Sequence, residues 1–269
     1  MATRNWLTHP VIATAIGINA AVLALALLAS GADPAPLSNL LSEDRLAEWM
    51  QFLSFAAIAV LIGFVAVDRA RRGPFLRLEV IGLVGVTALV ALAALEEISW
   101  FQRVLAVESP AFFLQHNKQA ETNLHNLAMG GASLHKVVLL KLIFIVGITH
   151  NLILPLLARS RPGIRRFVES LGLYLPPLSA SLAYLLLVLL SHTLIAHPRQ
   201  GELGEMFGAV HYLATAFAAY YLGIGYDKPK MIEGVADGKR IAQLFAACMI
   251  FLLFVAWLLS AMSRVPAIS

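Results

Sequence analysis

The chain has 269 residues, of which 59% are hydrophobic and only 13% charged, with a mean hydropathy of +0.77 and a formal net charge of +4. Soluble domains carry about 25% charged residues, so this composition excludes a water-soluble enzyme and a nucleic-acid-binding module and defines a polytopic membrane protein. The single cysteine, Cys248, excludes an intrachain disulfide and any CxxC metal site.

Apolar stretches long enough to cross a bilayer, which takes about 20 residues, fall at about 10–30, 46–67, 78–100, 134–157, 175–197, 204–225 and 241–262. The expectation is an all-α, single-domain integral membrane bundle over residues 1–269, with about seven transmembrane helices and a short interfacial helix between the third and fourth. The first stretch exceeds the ~7–15 apolar residues of a signal-peptide core and reads as an anchor helix. Glu43 and Asp44, following Ser42, read as partners of the helix dipole opening the second. Glu96 and Glu97 close the third. If its helix continues, Glu96, Trp100 and Arg103 share a face, so Arg103 is expected to hold Glu96 while Glu97 points elsewhere.

Ser109 and Pro110 form an N-cap and N1 pair, so "SPAFFLQH" is expected to start the interfacial helix, with Phe112, Phe113 and Leu114 dipping into lipid. Continued, that helix places Asn117, Glu121 and His125 on one face. His135, beside Lys136, reads as a capping or snorkelling residue, and His150 as hydrogen-bonded inside the bundle. Pro176 and Pro177 open the fifth span, where missing amides cost least, and His197 ends it. In the sixth, Gly204, Gly208 and His211 align, letting another helix approach beside the imidazole.

Loop charge sets an expected orientation, because Lys and Arg stay on the cytoplasmic side. Arg69, Arg71, Arg72 and Arg77 fill one loop, Arg159, Arg161, Arg165 and Arg166 a second, and Lys228, Lys230, Lys239 and Arg240 a third. With Arg4 these place the N-terminus in the cytoplasm and, after seven spans, the C-terminus outside. The outer face then gathers 10 of the 16 acids and six of the eight histidines, from at least five chain segments. Ionisable groups at membrane depth are costly and usually functional.

The candidate site is therefore Glu96, Glu97, Glu121 and His125 for acid–base work, with Glu48 and Glu205 at its edge. Arg103, Asn117, Asn123 and Asn126 are candidates to bind substrate or an oxyanion. His125, His192, His211 and Glu121 are candidate ligands for Zn or Fe. No HExxH or GxSxG pattern narrows the choice.

"EEISWFQR" at Glu96–Arg103 and "HNKQAETNLHN" at His116–Asn126 resemble an uncharacterised family of bacterial polytopic membrane proteins with EEISWGQR-like and NxQxExNLHNL-like segments. The acidic "EDRLAEW" before the second span fits the same pattern, and Phe101 stands where the family has Gly. The resemblance implies a bacterial inner membrane, in which the loop-charge orientation makes the N-terminus cytoplasmic and the C-terminus periplasmic, and it implies no activity. A looser resemblance is to the CAAX-type intramembrane endopeptidases, with their EExxxR and FxxxH motifs. Here Arg103 comes two residues late, and "FGAVH" supplies Phe207 and His211 after the other histidines. That resemblance implies Glu96 or Glu97 activating water, with His125 and His192 or His211 bracing the oxyanion.

Three functions stay open. The first is an outer-face enzyme, metal-assisted or glutamate-dependent, hydrolysing a lipid, isoprenoid or membrane-peptide substrate. The second is an accessory or assembly subunit of a larger membrane complex, its partners being membrane lipid and membrane protein. The third is a proton- or cation-coupled transporter, which requires polar groups through the midplane; apart from His150 the sequence offers few. The seventh span lacks a Lys for a retinal Schiff base.

Overall fold

The computed structural model describes residues 7, 9–31, 33–74, 77–129, 131–233 and 238–263; the side chains of Met129, His135 and Lys136, and Arg4 as a whole, lie outside the description. Among the described residues the regular structure is helical apart from a small antiparallel hairpin, β1 (Ala128–Met129) with β2 (Ala132–Ser133). Among the described residues five segments are long and apolar enough to cross a membrane: Pro10–Ala29, Ala35–Arg71, Leu78–Glu97, Val137–Ser160 and Lys239–Met262. They contain α1 (Pro10–Ala29), α2 (Ala35–Leu41), α3 (Leu46–Arg71) and α4 (Leu78–Glu97). Short helices α5 (Gln102–Leu105) and α6 (Ala111–His116) follow. Beyond the hairpin, α7 (Leu140–Ile148) and α8 (Leu154–Ser160) form one rod, joined by a wider π-type turn at Thr149–Ile153. The surface helix α9 (Pro162–Ser170) then leads to α10 (Leu178–Leu194), α11 (Gly201–Ala216) and α12 (Gly238–Met262).

Helix α11 is the axis of the bundle, packed against α1, α3 and α10. A helix buried on all sides need not be amphipathic, and from Leu203 to Ala216 every residue of α11 except Glu205 and Tyr212 is buried. Its small residues permit that. A Cβ on Gly204 would lie 3.2 Å from the His192 ring, and one on Gly208 3.1 Å from the Tyr184 hydroxyl, so α10 approaches along the expected small-residue stripe. The rod α7–α8 behaves oppositely: α7 has no buried residue, and Leu142, Ile143, Phe144 and Ile145 are exposed.

The helix ends define two poles. At the basic end, the buried Arg69 side chain lies 3.3 Å from Glu79, which Lys228 approaches at 3.7 Å and to which the Tyr226 hydroxyl donates at 3.5 Å. Glycines tighten this end, since a Cβ on Gly82 would fall 1.9 Å from the Leu171 carbonyl oxygen. At the other pole lie the start of α3, the ends of α4 and α10, and the start of α11. We refer to this pole as the acidic end.

Local structure corrects three expectations there. The third helix stops at Glu97 rather than continuing to 100, because Ser99, Trp100 and Phe101 all take left-handed backbone angles, φ 48°, 56° and 61°. Ser109 does not cap α6: the N-cap is Pro110, and the buried Ser109 hydroxyl donates to the Ala120 carbonyl at 2.6 Å. Nor does α6 reach His125. Asn117 is extended, φ −101° and ψ 133°, and bridges Leu127 across a compact loop, so Asn117, Glu121 and His125 share no helical face.

Candidate functional site at the acidic end

The two adjacent carboxylates closing α4 part company at the helix end. Glu96 turns toward the loop: it accepts from Trp100 Nε1 at 2.8 Å and from the backbone amides of Leu124 and His125 at 2.6 and 3.2 Å, with His125 Nδ1 3.5 Å away. The expected Glu96–Arg103 pair does not form. The left-handed run at Ser99–Phe101 rotates Arg103 off the Glu96 face and onto other acids.

Arg103 is the hub of this layer. Its Nε donates to Asp44 at 3.0 Å, Nη2 to Glu48 at 2.6 Å, and Nη1 to both Glu121 oxygens at 2.8 and 3.0 Å. Burial opposes charge on the guanidinium, yet Glu48, Glu121 and Asp44 outweigh it and hold its pKa above the ordinary value. Around the hub, Ser99 donates to Glu121, Asn123 to Ser99 Oγ at 2.9 Å, and Asn117 to Asn123 Oδ1 at 2.9 Å. Asn126 donates to Gln119, and its amide nitrogen lies 2.9 Å from His125 Nε2. Asp44 and Glu43 also depart from a dipole role: α3 starts at Leu46, Asp44 binds Arg103, and Glu43 binds Arg199.

Beneath this layer Glu97 turns inward, within electrostatic reach of Glu205, Glu202 and Glu48. Gln51, 1% exposed, projects among them. Its amide nitrogen donates to Glu205 at 3.1 Å, and the side chain is also within hydrogen-bonding reach of Glu97. The amide oxygen of Gln51 is buried with no partner among the described residues. An amide offers two donors and one acceptor, and here the donors face carboxylates while the acceptor lacks a donor. Glu97 and Glu205 thus meet at one neutral amide, with Glu202 and Glu48 within electrostatic reach of Glu97, while the Arg103 guanidinium pairs with Glu48 and Arg199 lies within reach of Glu202.

The structure brings together Glu97, Glu48 and Glu205, and joins Glu48 through Arg103 to Glu121, Asn117 and Asn123, with Glu96, His125 and Asn126 in the adjoining loop. It does not assemble His125, His192, His211 and Glu121. His192 lies against Gly204 with Nδ1 3.0 Å from the Val188 carbonyl, while His211 is deep in the bundle beside Asn151. Among the described residues no group of three or more His, Cys, Asp or Glu side chains is disposed to hold a metal ion. This donor set does not fit Zn or Fe.

Sequence reasoning missed Gln51 and Asn19, and gave Glu202 no role in the site. The signal was present: a lone amide interrupting an apolar run, as in "EWMQFLSF" and "GINAAV", marks a polar interior contact. No protein-family model, curated protein or solved structure matches the chain.

Proposed function

We propose that the chain is a seven-span membrane protein of the proton-coupled transport class, in which Glu97, Glu202 and Glu205 take up and release protons at the acidic end. α10 and α11 complete the seven spans, and α6 lies along the interface with Phe112 and Leu114 exposed. The observation that carries this reading is the buried amide of Gln51 set between Glu205 and Glu97, its oxygen without a donor among the described residues. A carboxyl hydrogen or a proton-bearing water supplies the missing donor, and carboxylates facing a bundle interior are the usual stations of intramembrane proton relays. The positive-inside pattern supports an outward-facing acidic end, and the resemblance of its loop segments to bacterial membrane proteins supports a periplasmic setting for it.

The test is proton influx into vesicles containing the purified protein, driven by a potassium diffusion potential and followed with an internal pH dye. Influx above that of protein-free vesicles is expected. An unchanged rate would remove the transport reading.

The enzyme reading keeps one favourable observation: Glu97 lies among other carboxyls at the acidic end, the kind of setting a general base occupies. Against it, Arg103, Asn117 and Asn123 are engaged with one another and with Glu121. Incorporation of heavy oxygen from labelled water into membrane lipids or peptides, lost in Glu97→Gln, would establish it.

A further inference from the structure

The turn from α8 into α9 carries four arginines in eight residues, Arg159, Arg161, Arg165 and Arg166. Of their side chains only Arg165 is engaged with the protein: it lies 3.6 Å from Glu169 one turn along and donates to the Gly225 carbonyl at 3.2 Å. Arg159, Arg161 and Arg166 are exposed, and their guanidinium groups make no ion pair or hydrogen bond with any described residue. Other cations at the basic end are committed. Arg72 pairs with Asp68 at 2.9 Å, Lys228 approaches Glu79 at 3.7 Å, and Arg77 donates to the Arg69 carbonyl at 2.6 Å.

Helix α9 is a fixed mount for the arginines. Val168 packs with Ala158 of α8 and Leu175 ahead of α10 in a small core of its own, which Ile164 borders. The far end of α9 is held by Glu169, which accepts from the Asp227 amide at 3.2 Å, and by the Gly172 carbonyl, which accepts from the Tyr220 hydroxyl at 2.8 Å. Phe167 takes no part in that core and is 64% exposed, next in the chain to Arg166. A surface helix that presents a bare aromatic ring beside unpaired guanidinium groups suits the boundary between acyl chains and headgroups, with the ring on the apolar side and the charge at phosphate level.

The wall that leads to this turn has the matching chemistry. Leu156 and Leu157 of α8 are 44% and 38% exposed, and α7 beyond the π-type turn has no buried residue. Only 6% of the apolar window of Val137–Ser160 is buried, against 22–44% in the other four candidate spans. Acyl chains lying along that wall bring their headgroup to the end that carries Arg159, Arg161 and Arg166.

We infer that the elbow between α8 and α9 is a binding site for an anionic phospholipid, its phosphate held by Arg161 and Arg166 with Arg159 alongside, and its chains lying on α8 near Phe167. Arginine suits the role because its planar fork meets phosphate oxygens two at a time. Basic pockets beside membrane spans are a recurrent way to hold anionic headgroups. The inference concerns the basic end and does not depend on what the carboxyls of the acidic end carry.

The experiment is native mass spectrometry of the purified full chain, released from detergent micelles holding equal amounts of phosphatidylglycerol and phosphatidylcholine with the same acyl chains. Wild type is expected to retain severalfold more phosphatidylglycerol. Arg161→Gln and Arg166→Gln should each cut that preference about fivefold, the scale of one cationic side chain near an anionic surface. Both side chains are exposed and unpaired, so thermal unfolding in lipid-free detergent should match wild type, and either variant alone decides the question if the other is unstable. The control is Arg71→Gln, which removes an exposed charge from the end of α3 at the same pole and should leave the preference unchanged. Equal retention of the two lipids by wild type would overturn the site, and so would an undiminished preference in folded Arg161→Gln and Arg166→Gln. An equal loss in Arg71→Gln would also overturn it, assigning the preference to net charge alone.

Discussion

Arg103 Nη1 donates to both carboxylate oxygens of Glu121, at 3.0 and 2.8 Å, and by this fork the loop after α6 is fastened to the turn after α4. The same guanidinium reaches Asp44 and Glu48 at the head of α3. A planar group with donors in fixed directions serves three acids at once, and a lysine ammonium does not. Arg103→Gln leaves those carboxylates without their cation and is expected to cost about 3 kcal/mol. Arg103→Lys should recover only part of it. Thermal unfolding in mild detergent reads both; parent-like stability in Arg103→Lys would mean that charge alone, rather than the fork, holds the loop.

The left-handed run before Arg103 yields a second expectation. Phe101 sits at φ 61° and is 39% exposed, its main ring contact being Phe52 at 5.7 Å. A left-handed angle costs an L-residue roughly 1–2 kcal/mol, and glycine escapes that cost. Phe101→Gly is therefore expected to stay within about 1 kcal/mol of the parent, the relieved backbone offsetting the lost edge-on ring contact. Phe101→Val, branched at Cβ, should be clearly less stable than Phe101→Gly. The reverse order in thermal unfolding would show that ring packing governs the position.

Two glycines separate close packing from helix propensity. A Cβ on Gly82 would meet the Leu171 carbonyl oxygen at 1.9 Å, so Gly82→Ala must shift backbone and is expected to cost about 3 kcal/mol. Gly17, exposed on α1, has nothing within 4 Å of the same position, and Gly17→Ala should gain about 0.5–1 kcal/mol. Unfolding curves of the two variants should move in opposite directions.

Much of the architecture was legible in the residues, for physical reasons that particular elements make plain. Long apolar runs such as Leu78–Glu97 can only be helices in lipid, since every backbone amide must be paired internally. The Gly204–Gly208–His211 stripe correctly announced the close approach of α10, because small residues at that spacing have one main use in a bundle. The candidate site was legible as a gathering of acids but not as a geometry. Spacing arguments assumed that the helices ending at Glu97 and His116 continue, and both stop. Nothing in "ISWFQR" announces three successive left-handed residues, which tertiary contacts impose. Glu96 and Glu97 therefore serve different layers, and Glu121 belongs to Arg103 rather than to His125. The interior polar set was underweighted because Asn19 and Asn151 each sit alone in an apolar segment, and only packing brings Asn151 to His211 on α11.

The central claim is that proton handling belongs to Glu97 and its carboxyl neighbours, while Glu121 and Arg103 hold the loop. Its most direct test is the rate of potential-driven proton influx in vesicles containing Glu97→Gln, set beside Glu121→Gln at matched protein content. Influx is expected to fall to the protein-free rate in Glu97→Gln and to persist in Glu121→Gln, which retains an amide for Ser99 and Arg103 to pack against. Full influx in Glu97→Gln would contradict it.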